Sequence, residues 1–395
     1  MDSATARQTK PLRPSRAVYL DHHASTPVDP RVAQLVYEVM TEHFGNPNSV
    51  DHQFGEEAAR LIDRSRAQVA RLIGAEDEDV RFTSGSTEAI RLAIAYASER
   101  RAGKVLKIAA SRVEHAAVLD ALAAASARGL AETTWIEVDD KCRVDLASIE
   151  RCLEAGVELV CLMAANNEVG TTQPVETAAR MTRMFGAEIL VDATQAAGRL
   201  DLRTQDWGID YLVLSGHKMY GPKGIGALIY PGVGAAPPPT LYAFHDATPN
   251  TPGIAGLGEA CRLRVAEMGV DEPRITALRD ELEARLKAGV PGLVVNGDPD
   301  ARLSNNLHVS APRILNDAVV AQLRYDVAIS TGAACASGAD APSHVLRAMG
   351  LAPWRQDGAL RISLGRFTTA DEIERAAAAI IAAIRSVQAS LQEHP

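Results

Sequence analysis

Lys218 stands in the stretch SGHKMYGPKGIG, behind a histidine and ahead of a glycine-rich turn. A lysine so placed is either a solvated loop cation or an amine held ready for a carbonyl, and other motifs bear on the choice. In FTSGSTEA, Gly85, Ser86 and Thr87 fall at a strand-to-helix junction. There the first turn of a helix offers unpaired backbone N–H groups and a hydroxyl to a phosphate. VDATQAAG adds the carboxylate of Asp192 and the amide of Gln195, and SGHK adds the Ser215 hydroxyl and the His217 imidazole. A phosphate cradle, a carboxylate and a lysine are what pyridoxal phosphate requires. The cradle anchors the cofactor, the carboxylate keeps the pyridine nitrogen protonated so that the ring accepts electrons, and the lysine forms the Schiff base. YGPKGIGA is no nucleotide-binding P-loop, because it lacks the Gly-Lys-Ser/Thr ending.

These residues can meet only if strands deliver them to one edge. The chain alternates short β-branched runs with amphipathic stretches, the pattern of βαβ units and a largely parallel, buried sheet. DVRFTSG, KVLKIAAS, VELVCLMAAN, AEILVDAT, IDYLVLSG and GIGALIY are the expected strands. STEAIRLAIAYASERR, EHAAVLDALAAASARG and PVETAARMTRMFG carry apolar residues three or four apart and are the expected helices between them. In an open parallel sheet, ligands gather outside the carboxyl ends of the strands, which is where the polar motifs fall. The segment 230–253 is crowded with proline and glycine and is expected to be a surface excursion. A helix from Ile254 to about Ala288 then leads into a smaller α+β unit. The expected organisation is a flexible tail over 1–16, a large cofactor-binding domain over 17–261 and a small C-terminal domain over 262–395. The last helix should open on a capping box, Thr369 with Glu372, and bury Ile373, Ile380, Ile384, Val387 and Leu391 on one face.

Composition narrows the function classes. The 395 residues carry a net charge of −9 and no long basic block, which gives no footprint for nucleic acid or for a membrane surface. No run approaches the roughly 20 apolar residues of a membrane span, and the opening MDSATARQTKPLRPSR lacks the apolar core of a secretory signal, so a cytoplasmic location is expected. Five scattered cysteines, Cys142, Cys152, Cys161, Cys261 and Cys335, show neither zinc-site spacing nor a disulfide framework and are expected to be reduced thiols.

The order and wording of the motifs resemble the aminotransferase class V family, and within it the cysteine desulfurases of the iron–sulfur and nitrogen-fixation type. The resemblance runs from VYLDHHASTPVDPRV through FGNPNSVDHQFG, FTSGSTEA, VEHAAVLD, NNEVGTTQPV, VDATQAAG, SGHKMYGPKGIGAL and STGAACASG to LRISLGRFTT. It implies the type I fold of pyridoxal-phosphate-dependent transferases, in which a large domain with a mostly parallel sheet precedes a smaller α+β domain. It also implies that Lys218 is the Schiff-base lysine, Asp192 the pyridine-nitrogen partner, Gln195 the phenolic-oxygen partner and His115 the imidazole stacked on the ring. Thr87, Ser215 and His217 correspond to phosphate ligands, beside Ser86 of the helix start, and Asn167 and Arg361 to the holders of the substrate carboxylate. A planar guanidinium suits that last task.

By the same resemblance Cys335, set among small residues in STGAACASGADAPSHVLRAMG, is the nucleophile that becomes a persulfide. The long stretch from Cys335 to Arg361 is similar to the class that passes sulfur to a protein acceptor such as an iron–sulfur scaffold. L-Cysteine is then the substrate, L-alanine the product and a homodimer the expected assembly. The alternative is another pyridoxal-phosphate enzyme on the same scaffold, such as a selenocysteine lyase or C–S lyase. Taken alone, His115 is equally a helix-start histidine, and Asn167 and Arg361 are equally a turn residue and a surface ion-pair partner. Two departures mark the chain. LYAFHDATPNTPG is shorter than the family's segment and leaves only Thr248 as a phosphate contact from a partner subunit, and LDHHAST sets His22 and His23 near the site mouth.

Overall fold

Strands that are apolar along nearly their whole length need cover on both faces, and the runs Leu159–Met163 and Tyr211–Ser215 are buried at each position. The computed structural model describes residues 17–101, 103–230, 248–331 and 343–393. Its largest sheet has seven strands: β2 (Val80–Thr83), β3 (Leu106–Ser111), β4 (Ala131–Ile136), β5 (Leu159–Met163), β6 (Glu188–Asp192), β7 (Tyr211–Ser215) and β8 (Gly226–Ile229). Their order is β2-β8-β7-β6-β5-β3-β4, with only β8 antiparallel to its neighbours. The six expected strands are all present. The seventh, β4, is an edge strand whose middle residues face solvent, so it lacks the continuous apolar run that marks the others.

Helices α1 (Pro30–Thr41), α2 (Gln53–Ile73), α3 (Ser86–Glu99), α4 (Ala116–Ala127), α5 (Leu146–Glu154), α6 (Val175–Met184) and the single turn α7 (Thr204–Trp207) belong to this half. They enclose the sheet between two apolar clusters, one around Val160, Val191 and Leu212, the other around Ile108, Leu190 and Val213. Alternate residues of one strand thus feed opposite faces, as the pleat demands.

The long helix α8 (Thr251–Gly289) packs on α1 and α2 and then reaches the C-terminal unit, with Pro273 inside it. Arg262, the expected domain boundary, lies within this helix. The C-terminal unit contains β9 (Val294–Val295), β10 (Asn306–Ser310), α9 (Asn316–Leu323), β11 (Val327–Ala328), α10 (His344–Ala348), α11 (Pro353–Asp357), β12 (Ala359–Ser363) and α12 (Ala370–Glu393). Strands β12, β10 and β9 form an antiparallel sheet, while β11 pairs in parallel with β1 (Val18–Tyr19), so the start of the described chain belongs to this unit.

The capping box forms reciprocally: Thr369 N–H donates to Glu372 Oε2 at 3.0 Å and Glu372 N–H donates to Thr369 Oγ1 at 3.2 Å. Ile373, Ile380, Ile384 and Val387 are buried as expected. Leu391 is not. It lies in the last turns of α12 and is 41% exposed, because the helix outruns the core it packs on.

Candidate active site

The carboxyl ends of β2, β5, β6 and β7 converge, and two adjoining cavities open there. The first, about 220 Å³, is lined by His23, Ala24, Ser86, Thr87, His115, Met163, Ala165, Asn167, Asp192, Thr194, Gln195, His217, Lys218 and Arg361. Residues from seven separate motifs, on the large sheet and on β12, thus face one space. Lys218 ends a single 3-10 turn, Gly216–Lys218, directly after β7. Its ammonium donates to the carbonyls of His23 and Ala24, the latter at 2.9 Å. Asp192 closes β6 and is nearly buried, and its Oδ1 accepts the Thr194 N–H at 2.9 Å. Gln195 uses Nε2 to reach the His23 carbonyl at 3.0 Å, while its Oε1 is buried without a hydrogen-bond partner.

His115 is a helix-start histidine that also faces the cavity. It is the N-cap of α4, where its Nδ1 accepts the Ala117 N–H at 3.1 Å, and its ring lines the cavity. An Nδ1 that accepts a hydrogen bond leaves the proton of a neutral ring on Nε2, so that nitrogen is the one able to exchange a proton with a ligand.

Arg361 is no surface residue. Lying in β12, it is 1% exposed, pairs with Asp21 Oδ1 at 3.0 Å and donates to the Asn167 carbonyl at 3.2 Å. Its Nε and the Oδ1 of Asn167 are buried without hydrogen-bond partners. A buried donor left unmade costs more than a formed bond returns, so this corner is built for an acceptor, and a carboxylate matches a guanidinium. His23 adjoins it, with Nδ1 3.1 Å from the Asn167 carbonyl and Nε2 3.2 Å from Asn305 Oδ1.

The second cavity, about 360 Å³, is lined by Ala24, Ser25, Ser84, Gly85, Ser86, Thr87, Glu88, Ser215, His217, Lys223 and Gly224. It shares Ala24, Ser86, Thr87 and His217 with the first. Gly85, the N-cap of α3, has φ 152°, and an added Cβ there would sit 3.8 Å from Ser215 Oγ, in the space a ligand would use. The helix start, the hydroxyls of Ser25, Ser84, Ser86, Thr87 and Ser215, the His217 imidazole and Lys223 together make an anion cradle. Glu88 turns its own carboxylate onto the Ser84 N–H.

The electrostatics favour neutral imidazoles. Burial, then the charges of Lys218 and Lys223, lowers His217 to about 4. Burial, reinforced by Arg361 and Arg199, holds His23 well below the ordinary histidine value. Two buried acids flank the site. Burial raises Glu114 to about 8, with the Asp192 charge adding to the shift against hydrogen bonds from Ser111 and Met163. Burial likewise raises Glu168 to about 7, opposed by a hydrogen bond from Ser343 and by the charges of Arg361 and His115.

Not every expected residue joins the cavity. Cys335 lies outside the described residues, as do the 1–16 tail and the segment 231–247. The flanks of the Cys335 segment are described and lie close to the site. Ser330 exchanges backbone hydrogen bonds with Arg361, and Ser343 Oγ donates to Glu168 Oε2 at 2.5 Å. Thr248 lines neither cavity; it borders a third, of about 290 Å³, with Arg66 and Arg81. Asp21, Thr194, Asn305 and Glu168 were not singled out by sequence reasoning. Asp21, Thr194 and Glu168 lie within recognised motifs, so LDHHAST, VDATQ and NNEVG carried a signal for them, whereas the role of Asn305 depends on a chain reversal that no local pattern reports.

Comparison with known proteins agrees with this geometry. The family profile described as Aminotransferase class-V matches residues 18–376. The chain is 38% identical over 381 residues to the cysteine desulfurase IscS of Anaeromyxobacter sp. (strain Fw109-5), covering 94% of this chain and 93% of that one. Among solved structures it is similar to a NifS-like protein, with 30% identity, a TM-score of 0.84 and coverage of 95% and 99% of the two chains. It is also similar to SspA in complex with cysteine, with 29% identity, a TM-score of 0.78 and coverage of 89% and 100%. A mostly parallel central sheet, the fold type I arrangement, carrying the motif residues on its carboxyl edge, and this match over most of the chain lead to one conclusion: the protein belongs to the aminotransferase class-V family.

Proposed function

We propose that this protein is a cysteine desulfurase that converts L-cysteine to L-alanine and takes the sulfur onto Cys335 as a persulfide. The observation that carries the reading is the shared cavity, which gathers Lys218, Asp192, Gln195, His115, Asn167 and Arg361 from five motifs. Its residues fit pyridoxal phosphate. The adjoining anion cradle suits a phosphate, Gly85 leaves room where a Cβ would intrude, Asp192 suits a protonated ring nitrogen, and Gln195 retains amide capacity for a ring oxygen. When bound, this cofactor supplies an aldehyde that condenses with amines and a protonated ring that accepts electrons from the substrate α-carbon.

The chain's own groups have distinct tasks. Arg361 and Asn167 hold the substrate carboxylate, with Arg361 Nε as the donor left for it. The Lys218 amine takes the α-proton, and the carbonyls of His23 and Ala24 steady it. His115 moves a proton at the substrate sulfur through Nε2. The Cys335 thiolate forms the new S–S bond as the C–S bond breaks, leaving the three-carbon skeleton to be released as alanine. Cys142, Cys152, Cys161 and Cys261 support this assignment by their own unsuitability. All four are buried, burial raises each thiol above its ordinary value, and none lines the cavity.

The persulfide passes to an acceptor protein such as an iron–sulfur scaffold or sulfur carrier, and the active form is a homodimer, with Thr248 the residue to examine for a contact across subunits. Among the described residues no helix is long and apolar enough to cross a membrane; our reading places the enzyme in the cytoplasm. The test is product analysis. L-Cysteine with reductant should yield alanine and sulfide, and Cys335→Ala should keep the yellow cofactor colour while stopping sulfide release. Sulfide formation at the wild-type rate in Cys335→Ala would refute the persulfide step and favour a C–S lyase.

A further inference from the structure

Two residues beyond Lys218, Tyr220 adopts φ 67°, a backbone conformation seldom taken by bulky residues. Glycines stand at 221 and 224, yet a tyrosine occupies this position, so its side chain must offset the strain. The ring is 1% exposed, and the guanidinium carbons of Arg264 and Arg366 lie over it at 5.8 and 5.5 Å from its centroid. Its backbone N–H donates to Thr26 Oγ1 at 2.8 Å, and its carbonyl accepts the Asp29 N–H at 2.9 Å. These bonds fix the turn to the large unit. The hydroxyl reaches the other way and accepts the Arg366 N–H at 2.8 Å. Arg366 follows β12, the strand of Arg361, and its side chain pairs with Asp29 at 3.0 Å, Asp271 at 3.5 Å and Glu267.

One side chain therefore links the turn that carries Lys218 to the segment that leaves Arg361. The two functional groups come from different sheets, while an α-amino acid separates its nitrogen from its carboxylate by a single carbon. Small errors in their spacing are costly. We propose that Tyr220 is a positioning residue that sets the distance between the Lys218 amine and the Arg361 guanidinium, so that both ends of one α-amino acid are engaged together. This inference rests on the reading of the site given above. An amine without a carboxylate has no use for the link.

The test titrates the holoenzyme with L-alanine and with ethylamine, following the cofactor absorbance, in the wild type and in Tyr220→Phe. The variant keeps the ring beneath its guanidinium groups and removes the acceptor. Half-saturation by L-alanine should rise about fivefold, the scale of one lost hydrogen bond, while that by ethylamine moves less than about twofold. Hydrogen exchange at the Arg366 amide should quicken in the variant. Equal shifts for both ligands, no shift for L-alanine, or unchanged exchange at Arg366 would each overturn the proposal. If L-alanine leaves the wild-type spectrum untouched, the reading of the site itself fails, and the inference with it.

Discussion

Glu114→Gln isolates the electrostatic cost of the layer beneath the site. Glu114 is fully buried, its Oε1 accepts from Ser111 Oγ at 2.6 Å and from the Met163 N–H at 2.9 Å, and its Oε2 has no hydrogen-bond partner. Glutamine keeps the accepting oxygen and cannot ionise, so any difference between the two proteins that varies with pH reports the carboxyl proton alone. Burial raises the folded-state value from 4.5 to about 8. Between those limits the folded chain holds a proton that the unfolded chain has released. The stabilising contribution of that proton is complete below the unfolded value and is lost as pH rises through the folded one.

Each pH unit well inside this window is worth about 1.4 kcal/mol, so from pH 5 to 7.5 wild type should lose about 3 kcal/mol relative to Glu114→Gln. For a chain of 395 residues with an unfolding entropy of about 2 cal/mol/K per residue, the melting temperatures should diverge by about 4 °C. The assay is differential scanning fluorimetry of both proteins, saturated with cofactor, across that range. Parallel curves would refute the argument, because they would mean that Glu114 ionises in the folded state as readily as in the unfolded one.

Lys218→Ala should reduce L-cysteine turnover by about 10³-fold or more, the scale of a lost positioned base, with the fold unchanged by circular dichroism; substantial residual activity would contradict its assignment. Arg361→Lys keeps the positive charge but loses the planar fork and the unpartnered Nε. Initial rates should show the KM for L-cysteine rising about 10- to 100-fold with a smaller effect on kcat, and an unchanged KM would remove Arg361 from the carboxylate site.

The sequence carried the large sheet because its inner strands are buried on both faces and therefore spell nearly continuous apolar runs, as LVCLM and the YLVL of YLVLS do. It missed β4 for the converse reason, since an edge strand open to solvent reads as AETTWI. Capping chemistry is equally local, so Thr369 and Glu372 could be paired from their spacing, whereas the exposure of Leu391 depends on how far a distant core extends.

For the site, residue types and their order along the chain determined which groups end the strands: Ser86 and Thr87 after β2, Asp192 at the end of β6, Lys218 after β7. A parallel sheet sends all those ends one way, which makes this much readable without coordinates. Only the tertiary structure decided that Arg361 would reach the carbonyl of Asn167, 194 positions away, that Asp21 would pair with it, and that the carbonyl of His23 would receive both Lys218 and Gln195. Those contacts join two sheets through α8 and the return of β1 to β11. Local periodicity records which face of an element is buried, not which remote element buries it, and long-range pairing of polar groups leaves no repeat in the sequence to read.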